Sequence, residues 1–153
     1  MEVILMNMCM IHDLKDDKVL VLDKVKKEGW EGLTFPGGHV EKKESLVNSC
    51  IREVKEETNL DIENIKLKGI FQWYMLDCNK RLIGLLYYTN SYYGNLITNN
   101  REGNLSWMEL ETFLRKDNKS DSMDEIMKIY MGKYKEIICY YKDEKLNNID
   151  YIK

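Results

Sequence analysis

Proline is nearly absent from this chain: Pro36 is the only one in 153 residues, so no proline-rich linker divides it. Histidine is scarce as well. His12 and His39 are the only two, too few for a histidine-based metal site. The four cysteines, Cys9, Cys50, Cys78 and Cys139, lie far apart with no CxxC pair, which favours reduced packing thiols in a cytoplasmic protein over a zinc or disulfide framework. No apolar run approaches the roughly 20 residues of a membrane span. The opening MEVILMNMCM lacks the basic flank of a signal peptide and reads as a strand. Lysine and arginine number 23 against 26 acidic residues, so there is no basic excess to bind duplex nucleic acid. What is present is the make-up of a globular protein, 44% hydrophobic and 32% charged, at a length that suits one domain over residues 1–153.

No repeat or low-complexity tract interrupts the pattern. Val3 to Ile11 and KVLVLDKV (18–25) alternate like strands around the polar turn HDLKDD. After Gly29, Trp30 and Gly32 a short strand, LTF, runs into Pro36-Gly37-Gly38. Residues 45–58 read as a helix. Leu46, Cys50 and Val54 recur at i, i+4 and i+8 with Val47 and Ile51 beside them, which predicts Leu46 on the buried face. Ser45 suits the N-cap, and Asn59 suits the left-handed position after the last turn. IKLKGIFQWYML and RLIGLLYYTNSYY read as a strand pair, GNLITN and NLSWMEL as two short strands. ELETFLRK and SDSMDEIMKIYMGK read as helices, and KEIICYYK with LNNIDYIK as a closing hairpin. Short strands with two or three helices predict an α/β (α+β) fold, a mixed sheet covered on both faces.

The helix at 45–58 carries the chemistry. Glu53 and Glu57 are i, i+4 neighbours and Glu56 is i+3 from Glu53, so three carboxylates sit about 5–6 Å apart on the polar face. Two such charges 4 Å apart repel by about 4 kcal/mol at an effective dielectric of 20. Arg52 and Lys55 relieve only part of this. A divalent cation would relieve it, and carboxylate-only ligation selects a hard ion, Mg²⁺ or Mn²⁺. Such ions keep water and take phosphate oxygens as further ligands, which points to phosphoryl or diphosphate chemistry with an activated water. For an isolated EVKEE, the plain alternative is a solvated acidic face.

The surrounding residues favour the chemistry. Gly38, Glu44, Arg52-Glu53, Val54, Glu56-Glu57 and Leu60 follow one another at the spacing of the Nudix box, and the stretch resembles that motif. Six fixed-position matches arise by chance on the order of once in ten million trials. The one departure is Asn59, where the family usually has glycine; both tolerate positive φ, so the turn is kept. The resemblance implies the Nudix fold, an α/β/α sandwich around a mixed sheet. It implies that Glu53, Glu56 and Glu57 bind metal and handle water, that the Gly38 carbonyl reaches a metal, and that Arg52 holds the glutamates by ion pairing. Glu44 matches an outer, structural glutamate.

FPGGHVE resembles the MutT-like branch of that family, which implies a Mg²⁺-dependent nucleoside triphosphate pyrophosphohydrolase with 8-oxo-dGTP as the best-known substrate. The implied partner is a small nucleotide, and the implied state a monomer or homodimer. Leu33 and Thr34 depart from the commoner residues before Phe-Pro-Gly-Gly, which leaves the base open. Thr34, Phe35, Gly37 and His39 fall on the substrate side. Glu102, in REGNLSWMELETFL, matches a further acidic ligand or base. Asp117, Asn118, Asp121 and Asp124 lie in the connector where the family often reads the base. Asp124 is the expected contact, or equally a first-turn helix residue. Trp73, Tyr74 and Tyr88 line the cleft or belong to the core. Two alternatives stand: another Nudix substrate class (nucleotide sugar, dinucleotide or RNA 5′ end), or a Nudix-fold binding module without turnover. Such modules usually lose box glutamates, and this chain keeps every one.

Overall fold

The computed structural model describes residues 1–25 and 29–153. The alternation in the first two strands becomes β1 (Glu2–Asp13) and β2 (Lys18–Lys24). Successive side chains point to opposite faces of a strand. Cys9 and Ile11 of β1 accordingly join Leu20 and Leu22 of β2 in one buried cluster, while Met10, Val19 and Val21 join a second. A sheet apolar on both faces needs cover on both.

The short β3 (Gly32–Thr34) and β4 (Gly37–His39) lie either side of Pro36 and lead into α1 (Leu46–Thr58). Then come β5 (Asp61–Glu63), the long β6 (Lys66–Met75) and β7 (Lys80–Thr89), β8 (Ser91–Tyr93) and β9 (Gly103–Glu109). Helices α2 (Leu110–Arg115) and α3 (Met123–Tyr130) precede the hairpin β10 (Glu136–Lys142) and β11 (Lys145–Ile152). The main sheet runs β11-β10-β6-β7-β1-β2-β3, with β4 beside β1 and β9 beside β2. It is mixed: β1 is parallel to β7 and β10 is parallel to β6. Cys50 and Val54 of α1 cover one face, and Phe113 of α2 with Met123, Ile126 and Ile129 of α3 cover the other. This is the predicted mixed sheet between helical layers. Among the described residues no helix is long and apolar enough to cross a membrane.

One feature of the pairing makes room for a site. β1 is in register with β2 only at His12↔Val19 and Asp13↔Lys18. Further back it pairs with β4 instead, through Met6↔His39, Asn7↔Gly38 and Met8↔Gly37. β1 and β2 therefore splay apart, and a cleft opens between them beside the glycine turn.

Two expectations change. GNLITN is not a strand. Asn59 Nδ2 donates to Asn95 O (2.8 Å), and Ile97 N–H donates to Thr58 O (3.1 Å), so the end of α1 satisfies groups that a ladder would otherwise pair. The additional strand pair is β5 with β8. Leu46 is not in the core but 39% exposed. The buried residues of α1 are Ser49, Cys50, Val54 and Thr58, so Cys50 and Val54 face inward as their spacing predicts, while Leu46 shares their side but is the first residue of the helix, at its end; Ser49 joins the buried side through its hydroxyl, 2.8 Å from Asn7 Nδ2 on β1.

Candidate active site

Both ends of α1 are set as the sequence predicts. The Ser45 hydroxyl accepts the Asn48 N–H at 3.0 Å, and Asn59 takes φ 67° with its N–H on Lys55 O at 3.0 Å. The helix thus starts and stops at defined points, and its polar face lies under the turn at Gly37-Gly38. A Cβ on Gly37 would lie 2.1 Å from Asn7 O, and one on Gly38 would lie 2.3 Å from the Glu53 carboxyl carbon. Only glycine allows β1 and the Glu53 carboxylate to approach this backbone so closely.

Arg52 organises the outer half of the cluster. Its Nε and Nη2 donate to Glu44 at 3.0 and 2.8 Å, the two-pronged geometry of a strong guanidinium–carboxylate pair. Nη1 donates to Glu53 at 2.9 Å and to Glu56 at 3.2 Å, and Nη2 also reaches the His39 carbonyl at 3.0 Å. The Glu44 carboxyl is held down to about 2, chiefly by Arg52 and then by the Glu41 N–H. The guanidinium is in turn held charged, first by Glu44. Arg52 and Glu44 thus form a brace beneath the loop.

The inner half is short of positive charge. Glu57 accepts the Gly37 N–H at 3.3 Å and is pushed up to about 8. Burial is the main cause; Gly37 opposes it, Glu53 and Glu102 repel further, and Lys24 offsets part. Glu53 is also raised, by burial first, with Arg52 opposing. Lys24 Nζ stands 3.8 Å from Glu102. Glu56 lies on the rim, its side chain 58% exposed. Among the described residues no three carboxylate, imidazole or thiol groups already converge on one point. Arg52 draws Glu53 and Glu56 toward itself, while Glu57 turns to Gly37. The donor set is all oxygen and carries excess negative charge, which fits a hard divalent cation and no softer one.

Glu53, Glu57 and Glu102 line one cleft of about 390 Å³ together with Gly37, Gly38 and His39. Trp30, Trp73, Leu82, Met123 and Ile126 supply its apolar lining. Thr34 and Phe35 form part of the wall. Phe35 is nevertheless core, stacked on Phe113 with ring centroids 5.0 Å apart. Of the three candidate aromatics only Trp73 faces the cleft. The Tyr74 hydroxyl is taken by Asn79 and that of Tyr88 by His12. Asp124 does not reach the cleft either. It is 80% exposed and paired with Lys119 Nζ at 3.1 Å. Asp121 lines the cleft instead. Asn118 gives its carbonyl to the Leu33 N–H, at 3.0 Å, and does not line the cleft. Sequence reasoning missed Asn7, Lys24, Trp30 and Ser120, which also line it. Each comes from a separate element, so no local pattern marks them.

A glycine turn over a glutamate-rich helix thus shares one cleft with the aromatic side chains of Trp30 and Trp73 on a mixed sheet. The NUDIX domain model matches residues 7–128, and the chain belongs to the Nudix family. It is 37% identical over 98 residues to the uncharacterized Nudix hydrolase YvcI of Bacillus subtilis strain 168, a match over 62% of this chain and 60% of that protein. The mutator MutT protein of Bacillus halodurans superposes with a TM-score of 0.78 at 25% identity, covering 96% of both chains. The MutT protein of Methanosarcina mazei superposes at 0.70 and 21% identity over 85% of this chain and 94% of that one; that likeness is one of fold.

Proposed function

We propose that the protein is a divalent-metal-dependent hydrolase of a nucleoside diphosphate linkage. The form favoured here is a nucleoside triphosphate pyrophosphohydrolase releasing nucleoside monophosphate and pyrophosphate. One observation carries the reading: a single cleft is lined both by carboxylates, Glu53, Glu57 and Glu102, the first two of them at the glycine turn, and by the aromatic rings of Trp30 and Trp73. A nucleotide has a part to match each, a diphosphate that needs a cation and a flat ring that stacks on aromatics.

Glu53, Glu56, Glu57, Glu102 and the Gly38 carbonyl are the groups that would hold Mg²⁺, or Mn²⁺. When bound, such an ion neutralises charge on the phosphates and acidifies water. The chain itself supplies the rest. A carboxylate of the cluster accepts the proton of the attacking water as the P–O anhydride bond breaks and pyrophosphate leaves with that oxygen. Arg52 and Glu44 keep the loop and helix in register. Trp30 and Trp73 hold the ring, and Asp121 offers it an acceptor in the place expected of Asp124. The likeness to a MutT protein over the whole chain supports a triphosphate.

The test is a panel of nucleoside triphosphates, including 8-oxo-dGTP, with nucleotide sugars, dinucleotides and capped RNA, run with purified protein and Mg²⁺. Pyrophosphate and monophosphate from a triphosphate support the reading. Turnover confined to another class moves the chain to that class. Activity that survives metal stripping and EDTA unchanged refutes the metal-dependent chemistry.

A further inference from the structure

Asn7 is a polar side chain in the middle of an apolar strand, 5% exposed. Its amide uses both ends. Nδ2 donates to Ser49 Oγ at 2.8 Å, and Oδ1 accepts the Gly38 N–H at 3.3 Å. Ser49 passes the chain on, donating to the His39 carbonyl at 3.3 Å, the same oxygen that Arg52 Nη2 reaches. One side chain on β1 therefore ties the glycine turn to α1.

The tie sits where it matters for the carboxylates. Ser49 lies one turn before Glu53, at i and i+4 on the same helical face. Gly38 is the residue whose backbone meets the Glu53 carboxyl group. Both the contact of α1 with β1 and the contact of the turn with β1 run through the Asn7 side chain. An aspartate could not do the same: it would lose the donor to Ser49 and add another negative charge beside Glu53. A leucine of similar shape would lose both bonds and leave the buried Ser49 hydroxyl without its donor.

We propose that Asn7 is a positioning residue for the carboxylate cluster, acting through Ser49 and Gly38 to hold the spacing at which the turn and α1 take up a divalent cation. This rests on the metal-binding reading above.

The experiment measures Mn²⁺ binding directly, by calorimetric titration of the metal-free protein, beside kcat and KM on the best substrate of the panel. Asn7→Leu and Ser49→Ala should each weaken Mn²⁺ binding by about 10–100-fold, the usual effect of losing a group that orients a metal ligand. They should lower kcat by a similar factor with KM for nucleotide within about threefold. The double variant should lose less than the sum of the two single losses, because both remove the same Asn7–Ser49 bond. Ile137→Val, in the core away from the cleft, controls for loss of stability; it should lower the melting temperature and leave Mn²⁺ affinity unchanged. Wild-type Mn²⁺ affinity in both Asn7→Leu and Ser49→Ala overturns the positioning role and leaves the metal reading intact. If Asn7→Leu fails to fold, Ser49→Ala decides alone. Wild-type protein that binds no Mn²⁺ overturns the metal reading itself.

Discussion

Glu57→Gln separates the charge of the site from its shape. Glutamine keeps the length and helix propensity of glutamate and still offers the Gly37 N–H an oxygen. It removes a buried carboxylate whose pKa is pushed up to about 8 by burial and by Glu53 and Glu102. In the unfolded chain this group ionises near the ordinary carboxylate range. Between that range and pH 8 the folded metal-free protein holds a proton that the unfolded chain has released. Stability from this group is therefore greatest at low pH, falls as pH rises, and levels off above 8. From pH 6 to pH 9 the folded group releases nearly one proton, and a tenfold difference in proton affinity between the folded and unfolded chains is worth about 1.4 kcal/mol. Allowing for solvent at the cleft mouth, the wild type should lose about 1–3 kcal/mol that the variant keeps.

The assay is urea unfolding of both proteins at pH 6 and pH 9 after metal stripping. The stability difference should move toward the variant by that amount as pH rises. Saturating Mg²⁺ should flatten the wild-type dependence, since a cation favours the charged carboxylate. In the same preparations kcat should fall by about 10²–10⁴, the range for losing acid–base help. Parallel stability curves from pH 6 to 9 would show that Glu57 is not held protonated by its surroundings, and the charge-deficit account of the inner cluster would fail.

Other variants test other parts. Arg52→Ala leaves Glu44 and Glu53 without their shared cation, and with the arginine side chain 23% exposed the loss should be about 1–3 kcal/mol in metal-free unfolding; unchanged stability and metal affinity would rule out the brace. Leu46→Ala, at a 39% exposed position, should cost less than about 1 kcal/mol, against about 2 kcal/mol for Val54→Ala in the core; equal losses would contradict the exposure of Leu46 at the start of α1. Asp121→Ala should raise KM for nucleotide several-fold with little change in kcat, while Asp124→Ala should change neither; the reverse pattern would return the base contact to Asp124.

The fold was legible where structure is local. β1 and β2 alternate residue by residue, α1 has a serine to start it and an asparagine to stop it, and the β10–β11 hairpin is punctuated by a polar turn. The short pair β5–β8 was not legible. Each strand has three residues, too few for a period to register, and β8 is separated from its partner by two long strands. The end of α1 differs from its spacing for a related reason. Spacing favours Leu46, Cys50 and Val54, and two of the three are buried; Leu46 opens the helix, where a period says nothing of how far the cover extends, and Ser49 is buried by a contact to Asn7 across 42 residues that no local pattern shows.

The site divides the same way. Glu53, Glu56 and Glu57 must share one face of one helix, so their spacing is written in consecutive residues and can be read there. The rest of the lining has no such constraint: Trp30, Trp73 and Asp121 reach the cleft from three separate segments. Asp121 and Asp124 show how little separates a cleft residue from a surface one. Between them Ser122 adopts φ 71°, a left-handed turn uncommon for serine. The chain turns there, Met123 becomes buried, and Asp124 is carried to Lys119 while Asp121, itself exposed, lines the cleft. Nothing in KSDSMD announces that turn. It follows from fitting Met123 into the core, where Thr34 donates to its sulfur at 3.5 Å. The wall of the cleft thus fixes which aspartate faces it, and that choice is made by packing rather than by charge.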